Sequence, residues 1–260
     1  MRSIYLLMLS LTIGFYYLTS SSKFGHSNAS GLGDVTEQIN KTITLAPDSN
    51  VKVSGINGPL TIETWDGNRA EINIAIRASD REALERHPLL VEETPNSLTI
   101  RTENDREGRR GGDRGWVHHE ARLKLPRRVN LRVSGVNGAV DIGQIGGEIA
   151  VSGINGRVEV AQAGTATEIS GINGATAVSL VRLGDGGLRV SGINGRVEIG
   201  LPATTNANVN VHGVNGGIDT DLPITVVGEM KKGNLTGTIG SGGSRIEISG
   251  INGGVLLKRI

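Results

Sequence analysis

The chain has 260 residues, 39 of them glycine, about twice the usual share in a globular protein. Lys and Arg number 27 against 26 Asp and Glu, for a net charge of +1, so no nucleic-acid surface built on basic excess is present. The absence of cysteine removes disulfides, thiolate zinc sites and cysteine nucleophiles together.

Residues 1–30 come first. Met1-Arg2 opens a largely apolar run over residues 4–18, broken only by Ser10, Thr12 and Gly14. That run is shorter than the roughly 20 residues of a membrane span and matches the apolar region of a signal peptide. Small residues at 19–22 and 27–30 offer cleavage sites. The segment reads as a signal peptide or, if uncleaved, a membrane anchor through residues 4–18 with Tyr16-Tyr17 at the interface. An exported protein is expected, in the periplasm, the cell envelope or at the cell surface. Five of the seven aromatic residues also fall here, leaving Trp65 and Trp116 beyond. A core must then be built from Val, Ile, Leu and Ala, which suits thin layers.

Residues 31–130 read as an irregular β-rich part. Strands are expected around residues 43–45, 60–63, 71–76, 97–102 and 121–125, where apolar residues alternate with polar ones. Ser79 and Glu82 form a capping box for one short helix that Pro88 ends. Residues 103–119, rich in Arg, Gly and Asp, are expected to form a mobile loop open to proteolysis. Between Arg101 and Arg128 stand nine Lys and Arg against five Asp and Glu. An anionic polymer or lipid surface is conceivable there, but a mixed-charge solvated loop is the favoured account of the composition.

Residues 131–260 are organised by one repeated phrase, Ser-Gly-Ile/Val-Asn-Gly. It begins at Ser54, Ser134, Ser152, Ser170, Ser191, His212 (with His for Ser) and Ser249, at spacings of 80, 18, 18, 21, 21 and 37. The last spacing is about two periods, and Gly233-Asn234-Leu235-Thr236-Gly237 reads as a decayed copy within it. Apolar-polar-apolar triplets flank the phrase, as in Leu131-Arg132-Val133 and Val158-Glu159-Val160, the mark of strands with one buried face. Asn-Gly between them offers a positive-φ corner.

Asn-Gly between alternating strands also signals a hairpin, so an antiparallel meander is one architecture. A parallel β-solenoid of about 18–21 residues per coil is the other. The second is favoured because it explains why the whole phrase recurs: like residues stack about 4.8 Å apart and must agree in size and hydrogen bonding. In that arrangement Asn57, Asn137, Asn155, Asn173, Asn194, Asn215 and Asn252 form a structural ladder of buried amides. The closing residues 254–260, apolar apart from Lys258 and Arg259, are expected to form an open edge prone to weak self-association or strand addition.

The recurrent G-I-N-G, the opening residues 51–58, Trp65-Asp66-Gly67 and the strand ending at Pro126 resemble the "putative adhesin" families with a head GIN domain, β-strand-repeat proteins of the bacterial envelope. The resemblance spans residues 35–260 and implies a right-handed β-solenoid. The expected function is a non-enzymatic, adhesin-like binding or scaffold protein with a macromolecular envelope partner. An envelope-stress or sensing partner of another membrane protein is the alternative.

A polysaccharide-acting β-helix enzyme is the remote reading. Glycoside cleavage needs two carboxylates about 5–10 Å apart in a sugar-gripping groove. Asp141, Glu159, Glu198 and Asp219 project from strands, but where any solvated face carries charge. No catalytic residue, cofactor or metal site is expected. Residues 240–244 lack the Asp of the calcium-binding glycine repeat, and His118 and His119, adjacent on a strand, should face opposite ways.

Overall fold

The computed structural model describes residues 34–103, 115–161, 164–227 and 232–260. The leader reading of residues 1–30 therefore lies outside the described residues, as does the 104–114 stretch of the expected loop. Four strands open the chain: β1 (Val35–Thr44), β2 (Ser49–Ser54), β3 (Leu60–Trp65) and β4 (Arg69–Ala78). A single helical turn and a half, α1 (Arg81–Arg86), precedes β5 (Leu89–Thr94), β6 (Ser97–Thr102) and β7 (Val117–Pro126). The strand expected at 121–125 starts earlier. Val117, His118 and His119, assigned by composition to the loop, belong to β7, whose burial alternates from Val117 onward.

The repeats supply strands in pairs: β8 (Val129–Val136) and β9 (Val140–Ile142), β10 (Ile149–Ile154) and β11 (Val158–Val160), β12 (Ala166–Ile172) and β13 (Thr176–Ser179), β14 (Gly187–Ile193) and β15 (Val197–Leu201). Then come β16 (Ala207–Val214), β17 (Ile218–Thr220), β18 (Ile224–Val226), β19 (Leu235–Ile239), β20 (Ser244–Ile251) and β21 (Val255–Arg259). They form two mixed sheets, ordered β1-β4-β7-β3-β9-β11-β13-β15-β21-β17 and β18-β19-β16-β20-β14-β12-β10-β8-β2-β6-β5. The strand before each phrase lies in the eleven-stranded sheet and the strand after it in the ten-stranded one. Throughout the array, neighbours run parallel, so the antiparallel meander is not the arrangement. Among the described residues, antiparallel pairs occur only toward the ends, among β1, β4 and β7, between β5 and β6, and around β19.

The register stacks like on like. Val53, Val133, Val151, Ile169, Val190, Ile248 and Val211 occupy one position across the larger sheet. Ile62, Ile142, Val160, Val178, Ile199 and Leu257 do the same across the smaller. All are buried and belong to one apolar cluster. β-Branched side chains dominate because a pleated, half-buried surface suits their restricted χ1.

The phrase's two glycines have separate reasons, and the Asn-Gly glycine takes the expected positive φ only at Gly58 (142°) and Gly174 (158°). In every copy the first glycine has positive φ, as at Gly153 (φ 62°), where the strand bends within its ladder. At the second, the reason is space. A Cβ on Gly156 would overlap the Gly138 carbonyl oxygen of the neighbouring repeat.

Three further details depart from the sequence reading. The helix is capped by Asp80, whose carboxylate accepts from the Ala83 amide at 2.7 Å, not by Ser79. That bond, with the Ser79 hydroxyl donating to the same carboxylate, holds Asp80 below its usual pKa. The presumed decayed phrase at 233–237 is no stacked copy, because β19 runs antiparallel to β16. Its Asn234 side chain accepts from the Gly213 amide.

Most consequentially, residues 254–260 are not an open edge. β20 lies between β14 and β16, and β21 between β15 and β17. The repeat opening at Ser249 is thus inserted between those opening at Ser191 and His212. Charge pairs accompany this order. Arg189 pairs with Glu247 at 2.9 Å, Lys258 pairs with Glu198, and Leu256 separates Glu198 from Asp219. Direct stacking of β15 on β17 would set those two carboxylates side by side, which is unfavourable.

Candidate functional site

The seven phrase asparagines are brought together in one continuous row. Asn137 Nδ2 donates to Asn57 Oδ1 at 2.9 Å, Asn155 to Asn137 at 3.0 Å, Asn173 to Asn155 at 3.0 Å and Asn194 to Asn173 at 2.9 Å. Following the spatial order rather than the sequence, Asn252 then donates to Asn194 at 2.9 Å and Asn215 to Asn252 at 3.2 Å. Every amide donates in the same direction, and Asn57 passes the last bond to the Val117 carbonyl. Main-chain bonds run alongside, from Asn155 N to Val136 O and Asn173 N to Ile154 O, both at 2.8 Å. Unlike the buried ladder expected, the row is exposed along its length.

Its terminus includes a histidine that spacing did not single out. His119 is 1% exposed and its Nδ1 accepts from the Asn57 amide at 3.0 Å, while its own amide donates to the Asn57 carbonyl at 2.7 Å. Burial foremost, then the nearby His118 and His87, push its pKa from 6.5 down to about 4. The imidazole is therefore neutral near pH 7, with Nδ1 as acceptor and the proton on Nε2. The signal in the sequence was the alternation of Val117, His119, Ala121 and Leu123, which continues the strand inward past the point where composition ended it. His118 faces solvent.

Two more columns run across the repeats. On the larger sheet, Ser54, Ser134, Ser152, Ser170, Ser191 and Ser249 share one half-buried outer position that ends at exposed His212. On the smaller sheet, Asp141 and Glu159 are direct neighbours, Ala177 separates Glu159 from Glu198, and Leu256 separates Glu198 from Asp219. Arg157 lies 3.8 Å from Asp141 and 2.9 Å from Glu159, and Lys258 pairs with Glu198. Asp141, Glu159 and Glu198 thus have their charge met by neighbouring cations.

The basic residues flanking the 104–114 stretch are also paired. Arg101 meets Glu92 and Glu103, Arg122 meets Glu120, Arg127 meets Asp66 and Gln144, and Arg128 meets Asp48. Lys124 sits 4.8 Å over the Trp65 ring, whose Nε1 donates to the Arg69 carbonyl. Among the described residues no group of three or more His, Asp or Glu could hold a metal ion, and no helix is long and apolar enough to cross a membrane. A recess lined by Asn215, Gly216, Gly217, Ile218, Lys232, Gly233 and Asn234 lies beside β17.

No protein-family model matches the chain, and no curated protein matches its sequence. Solved structures do resemble it. One is a "putative cell adhesion protein" from Clostridium sporogenes, 12% identical with a TM-score of 0.46, the match covering 87% of this chain and all of the other. Others are a "putative adhesin" from Bacteroides fragilis, 10% identical, TM-score 0.29, covering 86% and 97%, and one from Parabacteroides merdae, 12% identical, TM-score 0.26, covering 86% and 96%.

Proposed function

We propose that the chain is an exported, non-enzymatic right-handed parallel β-solenoid of the head GIN type, and that its sheet faces are a binding or scaffold surface for a macromolecule of the cell envelope. The observation that carries this reading is the straightness of the columns. Serines on the larger sheet recur at one register position per repeat, about 4.8 Å apart, and on the smaller sheet four carboxylates share one position with Ala177 and Leu256 between them. A column of near-equivalent positions suits an extended, repetitive partner, whereas catalysis needs one position unlike the rest. Winding into a solenoid accounts for the alternation of successive strands between the two sheets, and its right hand follows the usual chirality of parallel crossovers.

The test has two arms. Envelope fractionation with N-terminal sequencing should recover the chain outside the cytosol. A photo-crosslinking side chain at Ser152 or Ser191 should capture a defined envelope partner in living cells, while one at exposed Val181, outside the columns, should capture less. Recovery in the cytosol sinks the export reading, and equal capture from all three positions sinks the binding-face reading.

A further inference from the structure

The inserted repeat carries an inference of its own. The repeats opening at Ser191 and His212 are 21 residues apart, the same interval as from Ser170 to Ser191, whose strands β12 and β14 are direct neighbours. At that interval β14 and β16 match without help: Val190 would face Val211, Ile193 would face Val214 and Asn194 would meet Asn215. The molecule instead holds them one strand apart and fills the slot with β20 and β21.

Every contact that holds this strand pair is written in register, and none depends on which chain supplies it. Ile246, Ile248, Ile251, Val255 and Leu257 are each at most 1% exposed in the core. Asn252 donates to Asn194 and accepts from Asn215, completing the amide row. Glu247 and Lys258 pair with Arg189 and Glu198 on one wall. A second copy of the same segment would present the same groups at the same heights.

The connection allows such a change of partner. Residues 240–243 link β19 to β20, with Gly240, Gly242 and Gly243 at φ 59°, 79° and 147°. The link crosses the start of β16, held by Asn206, whose side chain accepts from the Ser241 amide at 2.9 Å, and by Asn208, which donates to the Gly243 carbonyl at 3.0 Å. No buried apolar side chain anchors the link itself. Leaving the slot would expose Ile246, Ile248, Ile251, Val255 and Leu257, so the segment leaves one slot most readily for another.

We propose that this slot is an exchange site, and that two copies of this chain can associate by inserting residues 244–260 of each into the slot of the other. The result is a reciprocal two-fold dimer with no new contact surface, since every bond of the monomer is remade between chains. The proposal is independent of what the sheet faces bind.

The chain has no cysteine, so engineered thiols report cleanly. Ser191 and Ser249 are register partners, about 4.8 Å apart at Cα, within disulfide reach. Full-length Ser191→Cys and Ser249→Cys variants are mixed, carried through mild denaturant at high concentration, returned to buffer and oxidised. A mixed disulfide dimer is expected on a non-reducing gel, at least tenfold above either variant alone and rising with concentration. The Ser191→Cys/Ser249→Cys double variant, oxidised before mixing, should lock as a monomer and exchange with nothing. If the double variant locks but the mixed singles never cross-link, the strand pair stays within its own chain and the proposal fails. It fails equally if Ser191→Cys/His212→Cys locks in place of the first pair, because the slot is then closed.

Discussion

Replacing Asn155 by alanine removes two side-chain links from the middle of the amide row, the bond it donates to Asn137 and the bond it accepts from Asn173, both 3.0 Å. Because the row is exposed, water competes for each group, and a link contributes about 0.5–1 kcal/mol rather than the larger penalty of an orphaned buried amide. The loss is then about 1–2 kcal/mol. Asn215→Ala is the internal control. Asn215 donates to Asn252 and has no amide beyond it in the row, so only one link is lost and the effect should be about half. Asn155→Asp keeps the acceptor for Asn173 but sets a carboxylate against the Asn137 carbonyl oxygen, and should destabilise at least as much as alanine. For a chain of this size about 1 kcal/mol moves the thermal midpoint by about 2–4 °C. Circular dichroism at the strand minimum should therefore show Asn155→Ala lowered by about 2–8 °C and Asn215→Ala by about 1–4 °C. Equal effects at the two positions, or no shift at either, would refute the reasoning by making the row a bystander of the main-chain ladders.

Acidity should act through His119. Well above pH 6.5 neither folded nor unfolded chain protonates it. Between 6.5 and about 4 the unfolded chain takes up a proton that the buried imidazole refuses, so stability falls with pH across that window, by up to about 3 kcal/mol. His119→Asn, which can still accept from the Asn57 amide, should flatten that slope in urea melts at pH 7, 5.5 and 4.5; an unchanged slope contradicts the assignment. The two glycines of a phrase should respond differently. Gly153→Ala strains a left-handed residue that has room and should destabilise by about 1–2 kcal/mol, whereas Gly156→Ala drives a Cβ into the Gly138 carbonyl and should exceed that. Reversal of that order in denaturant titrations would count against the packing described. Ile169→Ala, in the centre of the larger sheet's apolar column, should lower stability by about 2–5 kcal/mol, and a value below 1 would mean the column is loosely packed.

Period-two alternation was enough to find most strands, because one buried face imposes it locally, and the Ser97–Thr102 strand falls where alternation put it. Repetition of the phrase likewise pointed to stacking, since only stacked copies must match. What repetition could not supply was order. Seven near-identical phrases fit one another in any sequence, and the observed order shows itself only in single pairs such as Arg189 with Glu247 and Lys258 with Glu198. The Asn234 segment misled for the opposite reason, because its residues resemble the phrase while its strand direction does not. The helix cap moved by one residue because Ser79 and Asp80 are both competent caps and only the chain's entry angle separates them. Exposure of the asparagine row was hidden too, since a polar residue between apolar triplets is compatible with either an inner or an outer corner.

The spatial order of the repeats is the claim on which the rest depends, and paired spin labels measure it directly. Ser54 and Ser249 are separated by five strand spacings along the larger sheet, and Ser54 and His212 by six, so at about 4.8 Å per strand the distances are about 24 Å and 29 Å. Dipolar spectroscopy on Ser54→Cys/Ser249→Cys and Ser54→Cys/His212→Cys should therefore give the shorter distance to the residue farther along the chain. A longer distance to position 249 than to position 212 would restore the sequence order and contradict the account.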